Sequence, residues 1–325
     1  MQKLKEEIGS LLAPLVLLSE AEVLNLLETP PEQEFGDLAF PCFALAKLKK
    51  KAPAAIALEL SEELAGSEKI FWSKVTPRGP YLNFYISPAA YGREVLDQVL
   101  SSGERYGHSD QGQGKNVPID FSSPNIAKPF GVGHIRSTVI GHALYLIYKA
   151  LGYNSIGINH LGDWGTQFGK LIVAYKSWGE EEKLEADPVD YLYRLYVLFH
   201  QRAEEDPTLD DEARAWFKKL EEGDDEAVAY WNRFRQLSLD NYALTYDLLG
   251  ISFEYYHGES HYNKMLSRVM ELVEQKGIAK ESEGALIIDL EPHGLPPVML
   301  RKKDGAALYI TRDIAAAIYR KETFD

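Results

Sequence analysis

The chain has 325 residues, 45% hydrophobic and 26% charged, the make-up of an ordinary folded protein and not of a fibrous or disordered one. Its formal net charge of −14 argues against indiscriminate nucleic-acid binding through bulk electrostatics and leaves only a local basic surface for such a role. The single cysteine, Cys42, excludes an intrachain disulfide and points to a reducing compartment.

At the N-terminus, Lys3, Lys5, Glu6 and Glu7 come early and Pro14 interrupts the apolar stretch, so no signal peptide is expected. No later run approaches a membrane span, and the location is read as cytoplasmic. Residues 1–101 read as a small α/β module. An N-terminal helix is followed by "FGDLAFPCFALAKLKKKAP", in which Asp37 is expected to cap a helix and Pro53 to close it off from the next. "KIFWSKVT" and "YLNFYIS" then read as strands joined by the turn "PRGP". Residues 102–116, rich in glycine and polar side chains, are expected to be a linker.

From residue 117 to 325 the pattern is α/β. Strand 117–122 leads to helix 134–150, whose Ile135, Val139, Ile140, Leu144, Ile147 and Tyr148 recur at helical spacing; "SIGINH" leads to helix 165–178. Strands alternating with helices predict a parallel sheet. Helical segments at about 188–202, 211–221 and 225–249 follow, their acidic clusters reading as solvated faces. "GALIIDLEPHGLPPVMLRKKDGAALYI" reads as two or three short strands, and "LYITRDIAAAIYR" as a strand end entering a helix with Thr311 at its N-cap.

Ligands of an open parallel sheet sit beyond the carboxyl ends of its strands, and three motifs fall at such positions. In the first, Pro129 to Gly133 is a strand-to-helix turn. Gly131 and Gly133 admit a ligand to the backbone, and the helix N-terminus beside His134 suits a phosphate. The same glycines are also compatible with simple relief of backbone strain, and His134 with a capping role. The second motif is "NHLGDWGTQFGKL", which brings Asn159, His160 and Gln167 to the edge as further candidates; His160 and Gln167 are equally suited to fastening the turn. The third is "LYITRDIAAAIYR", where Tyr309 and Asp313 stand four residues apart.

"SSPNIAKPFGVGHIRST", "NHLGDWGTQFGKLIVAY", "PPVMLRKKDGAALYITRDIAAAIYR" and "FGDLAFPCFALAK…GPYLNFYIS" resemble, in the same order, segments of bacterial-type arginyl-tRNA synthetases of class I. The resemblance implies a Rossmann-like parallel-sheet catalytic domain with insertions, preceded by an additional domain that contacts the tRNA D-loop. It implies ATP-dependent activation of L-arginine to arginyl-adenylate and transfer to the 3′ end of tRNA(Arg). ATP with Mg²⁺ would be a substrate, with no tightly bound cofactor, no membrane partner and a monomeric parent. By the same resemblance His134, Lys128 and Gly133 are catalytic, and Ser123, Pro124, Asn125, Lys128, Gly131, Gly133 and His134 bind ATP. Asp120, Asn125, Tyr309 and Asp313 would bind arginine, and Tyr81 and Asn83 the tRNA.

Read from the residues alone, Lys128 also suits a solvated loop, Asp313 an acidic first helical turn, and Tyr81 ordinary strand packing. Gly131 stands where many relatives carry histidine, which puts the contacts to carboxylate and phosphate in question while leaving the reaction class. The family continues beyond "KETFD" with a further strand, a lysine-bearing signature loop and an anticodon-binding domain, so the chain is expected to be an N-terminal fragment, inactive alone. Its last helix is expected to leave Ile314 and Ile318 short of partners. The rival readings are another nucleotidyltransferase with an HxGH-type turn and no tRNA substrate, and a non-catalytic tRNA-binding fragment.

Overall fold

A computed structural model describes residues 1–303, 305 and 307–325, and its contacts divide the chain into two units, Met1–Tyr106 and Gly107–Asp325. In the first unit, α1 (Gln2–Val16) buries Leu4, Ile8 and Leu12, a four-residue repeat that presents one stripe inward. Ser19 caps α2 (Glu20–Leu26), accepting from the Glu22 amide while the Glu22 carboxylate accepts from the Ser19 amide. β1 (Leu38–Pro41) comes next, then α3 (Ala46–Lys49), α4 (Pro53–Ala65), β2 (Trp72–Arg78), β3 (Tyr81–Ile86) and α5 (Pro88–Ser102). The strands form an antiparallel sheet in the order β1-β3-β2, with Leu38 opposite Phe84 and Phe40 opposite Leu82. Ile56, Leu60 and Leu64 of α4 meet Trp72, Phe84 and the α1 stripe in one core.

Asp37 does not cap a helix. It precedes β1, and its carboxylate accepts from the Ile86 amide at 2.8 Å, so a strand occupies the place where a helix was expected. Sheet pairing with β3 there outweighs the local capping signal.

The second unit opens with β4 (Asn116–Asp120), α6 (Val132–Ala150) and β5 (Asn154–Ile158), the strands paired in parallel with Asp120 level with Ile158. Phe121 crosses so close to α6 that a Cβ on Gly141 would lie 2.1 Å from the phenylalanine Cβ; only glycine permits this crossing. The helical spacing on α6 does not mark a buried face throughout. Val139, Ile140, Leu144 and Ile147 stay exposed although their periodicity predicts a core stripe.

A helical layer follows: α7 (Thr166–Trp178), α8 (Glu181–Ala186), α9 (Pro188–Glu205), α10 (Thr208–Glu222) and α11 (Asp225–Leu249). Phe168, Leu171, Leu192, Phe234 and Tyr242 make its core. Then come α12 (Leu266–Gln275), a separate antiparallel sheet of β6 (Ala279–Ser282), β7 (Ala285–Ile288) and β8 (Val298–Arg301), and α13 (Tyr309–Phe324). Asp304 and Ala306, inside the stretch expected to form short strands, lie outside the described residues. Among the described residues no helix is long and apolar enough to cross a membrane.

Two expectations for α13 are corrected. "LYI" begins the helix instead of ending a strand, with Leu308 at the cap, and the Thr311 hydroxyl donates inward to the Leu300 carbonyl at 2.7 Å. Thus α13 follows a strand of the antiparallel sheet, not of the parallel pair. Ile314 and Ile318 are also not left without partners; they pack against Tyr262, Val269, Leu286 and Leu300.

Candidate functional site

Beyond β4 the backbone turns sharply. Ser122, Ser123 and Ala127 take φ values of 76°, 53° and 56°, left-handed conformations that cost non-glycine residues about 1–3 kcal/mol each. The surroundings hold them there. Asn159, fully buried just past β5, accepts from the Ser123 amide at 3.2 Å and donates to the Tyr246 hydroxyl at 3.0 Å. Ser122 Oγ and the Tyr246 hydroxyl lie 2.7 Å apart. The Ala127 amide donates to Ser238 Oγ at 3.0 Å. The Tyr242 hydroxyl reaches both the Asn125 and Lys128 carbonyls, at 2.6 and 2.8 Å.

Ser238, Tyr242 and Tyr246 recur every four residues on one face of α11, so a single helix carries the strained loop. Burial pushes both phenols above their ordinary range and keeps them neutral hydrogen-bonding groups. Sequence reasoning missed all three. The available signal was a row of hydroxyls at helical spacing within an otherwise apolar stripe.

The loop delivers the chain to the N-terminus of α6. Gly131 has φ −94° and ψ 173°, extended backbone open to any residue, so it relieves no strain. A Cβ at Gly131 or Gly133 would meet nothing within 4 Å. What glycine provides at both positions is open access to the backbone. The Gly131 amide donates to His134 Nδ1 at 3.1 Å, which assigns the ring proton to Nε2 and leaves an N–H donor beside the first amides of α6. Capping and donation are therefore served by one imidazole. Lys128 is exposed, its ammonium 6.0 Å from the Tyr196 ring, while its carbonyl is pinned by Tyr242. Pro124 and Asn125 lie along Gly162 of the second motif: the Gly162 amide donates to the Pro124 carbonyl at 3.0 Å, and a Cβ on Gly162 would sit 2.0 Å from Asn125 Oδ1. Gln167 donates to the Trp164 carbonyl at 3.3 Å and fastens that turn.

The acidic candidates meet where α13 crosses the strand ends. Asp120 pairs with Arg320 at 3.0 Å, so its charge is already answered from within the chain. His160 lies 3.0 Å from the His257 carbonyl through Nδ1, which makes Nδ1 the donor; Nε2 then faces Asp313 at 3.9 Å. Asp313 remains half exposed, and Tyr309, one turn earlier on α13, is 68% exposed. Asp120 thus reaches α13 through Arg320, and His160 faces Asp313 on the same helix, whereas Tyr309 stands apart on it.

Sequence reasoning also passed over Glu259. Burial pushes its carboxyl up to about 7, Arg312 opposes that shift, and Asp163 and Asp313 add to it. Asp163 itself is fully buried, accepting from Arg235 Nε and from the Ser260 amide and hydroxyl, each at 2.9 Å.

In the first unit, Tyr81 and Asn83 line one cavity of about 270 Å³ together with Pro30, Pro31, Phe35 and Arg78. The Arg78 guanidinium lies 3.5 Å over the Phe35 ring. Asn83 is 3% exposed, and its buried Oδ1 has no hydrogen-bond partner.

Comparison with known proteins gives this arrangement its family. A family model described as the catalytic domain of class I (R) tRNA synthetases matches residues 95–325, and one described as the arginyl tRNA synthetase N-terminal domain matches residues 2–86. The arginine–tRNA ligase of Pediococcus pentosaceus is 51% identical over 323 residues, which make up 99% of this chain and 57% of that protein. That of Clostridioides difficile is 54% identical over 308 residues, 95% of this chain and 54% of its own length. The chain therefore spans about half the length of the curated relatives it matches. The solved Thermus thermophilus arginyl-tRNA synthetase superposes with a TM-score of 0.64 at 26% identity, covering 98% of this chain and 53% of its own. With the catalytic-domain match running over more than half of its length, the chain belongs to the class I arginyl-tRNA synthetase family.

Proposed function

We propose that the protein, at the full length of its relatives, is an arginine–tRNA ligase of the cytoplasm that acts as a monomer. The observation that carries this reading is the identity of about half of all positions with arginine–tRNA ligases over almost the entire chain. In the first step an oxygen of the arginine carboxylate attacks the α-phosphorus of ATP, and pyrophosphate leaves with its Mg²⁺. In the second a ribose hydroxyl at the tRNA 3′ end attacks the activated carbonyl, and AMP leaves. No covalent enzyme intermediate is needed, so catalysis rests on positioning and on meeting developing charge.

His134 Nε2 and the first amides of α6 face the phosphates, and the exposed Lys128 adds a point charge. Ser123, Pro124, Gly131 and Gly133 shape the nucleotide's seat, and Asn125 holds the polar end of the amino acid. Asp313, with Glu259 in the same electrostatic neighbourhood, takes the substrate guanidinium, with Tyr309 closing over it. Asp120 acts through Arg320 to fix α13 against the strand ends. The Tyr81–Asn83 cavity takes an unstacked tRNA loop base, between rings and a guanidinium.

The test is tRNA charging by the full-length protein with each amino acid in turn. Arginine alone is expected to become linked to tRNA, and charging without ATP is expected to be absent. Preferential charging with another amino acid contradicts the reading.

A further inference from the structure

Asp163, in the loop leaving β5, is a fully buried carboxylate outside the phosphate and guanidinium contacts described above. Both of its oxygens are engaged. One accepts from the Ser260 amide, the other from the Ser260 hydroxyl and from Arg235 Nε, each at 2.9 Å. At Gly258 a Cβ would lie 2.4 Å from the Asp163 carboxyl carbon, so only glycine lets the carboxylate sit against the backbone there. Between Gly258 and Ser260 stands Glu259, whose amide donates to the Leu161 carbonyl at 3.0 Å. One carboxylate therefore grips the chain immediately before and immediately after Glu259.

Asp163 is itself fixed by α11. The Trp231 indole donates to its carbonyl at 2.8 Å. Arg235, one turn on, donates to its carboxylate at 2.9 Å and to the Tyr256 carbonyl at 3.4 Å. Trp231 and Arg235 extend the row of Ser238, Tyr242 and Tyr246 at helical spacing, so the helix that holds the loop before α6 also holds this clamp. A buried ion pair adds little net stability over apolar groups of the same size, so packing alone gives no reason for a carboxylate here. Its grip on both neighbours of Glu259 does give one.

We infer that Asp163 is a positioning residue that holds the Glu259 carboxylate in the neighbourhood of Asp313, where the substrate guanidinium arrives. This rests on the arginine–tRNA ligase reading and adds to it the group that sets the place and charge of Glu259. Around Glu259 stand Asp163 from the β5 loop and Arg312 and Asp313 from α13. Arg235 of α11 and His261 face Asp163 in turn, and Glu221 of α10 faces Arg312. Burial raises the Glu259 carboxyl most, Arg312 opposes it, and the charges of Asp163 and Asp313 raise it further. Removing the Asp163 charge therefore lets Glu259 shed its proton at lower pH.

The test is the KM for arginine of the full-length protein and its Asp163→Asn and Ser260→Ala variants, followed across the Glu259 carboxyl at about 7. The KM for ATP and the melting temperature are measured alongside. In Asp163→Asn the midpoint of the profile is expected to fall by at least about half a pH unit. At pH 8 its KM for arginine is expected to rise about ten-fold, with the KM for ATP unchanged. Ser260→Ala keeps the Asp163 charge and loses one hydrogen bond, so its midpoint should match wild type while its KM for arginine rises about three-fold. An Asp163→Asn protein that melts lower but keeps the wild-type midpoint and KM for arginine overturns the proposal. Should that variant not fold, Ser260→Ala decides: a wild-type KM for arginine overturns the proposal, and the three-fold rise upholds it. Each of these outcomes leaves the ligase reading standing; a wild type that does not charge tRNA with arginine overturns both.

Discussion

Asp313 carries its charge half exposed beside an imidazole, and a guanidinium arriving there would find that charge unneutralised. Replacing Asp313 by Asn keeps the shape and removes the charge, at an expected cost of about 2–5 kcal/mol. Arginine kcat/KM should fall at least about thirty-fold with the KM for ATP little changed, as steady-state charging would report. His134 separates two roles in one ring. In His134→Asn, the amide oxygen can still accept from the Gly131 amide, but the outward Nε2–H is gone. The melting temperature is expected to hold while kcat falls; a lost melting temperature with normal kcat per folded molecule would make the ring purely structural. Glu259 introduces pH dependence. Its carboxyl sits at about 7 against an ordinary 4.5, so the folded chain keeps a proton that the unfolded chain sheds. That contribution to stability is full below pH 4.5 and is lost as pH rises through 7. A bound guanidinium favours the charged form, so the KM for arginine should drop from pH 6 to pH 8, and Glu259→Gln should flatten both profiles.

Among the elements, α11 illustrates an influence on chemistry without contact to substrate. Tyr242→Phe removes both hydrogen bonds to the loop carbonyls of Asn125 and Lys128, a loss of about 1–3 kcal/mol. The expected result is a lower melting temperature and a weakening of ATP binding of about five-fold, with the KM for arginine less affected. The β4–α6–β5 unit was legible because its strand and helix periods change cleanly at a glycine-bearing turn. The supporting role of α11 was not, since Ser238, Tyr242 and Tyr246 do their work through a loop more than a hundred residues earlier in sequence. Thr311 misled for a similar reason: its capping propensity is local, while the Leu300 carbonyl that claims its hydroxyl comes from another element. Asp37 was lost to the same competition, between a local cap and a sheet partner. The exposed face of α6 has its own consequence. Ile140, Leu144 and Ile147 form an apolar stripe open to solvent in this chain, and such stripes drive association. Sedimentation of the 325-residue chain should show concentration-dependent species that Ile140→Lys/Leu144→Lys removes; a monomeric wild type would mean the stripe is tolerated in water.

On the scale of the whole molecule, the fold joins three things that the chain keeps far apart in sequence: a helix N-terminus carrying His134, a strained loop held by α11, and the carboxylates of Asp313 on α13 and of Asp120, paired to Arg320 of that helix. Composition constrained little here beyond a folded protein without disulfides, and the family segments in their order carried most of the functional reading. Periodicity could not supply the pairing of Asp120 with Arg320, because it depends on where α13 lies over the strand ends. The most direct test is a crystal structure of the full-length protein with a non-hydrolysable arginyl-adenylate analogue. The expected result is the guanidinium in hydrogen-bond contact with the Asp313 carboxylate and the phosphate analogue against His134 Nε2 and the first amides of α6. An analogue whose guanidinium lies in solvent, or whose phosphate mimic lies away from α6, would contradict the account.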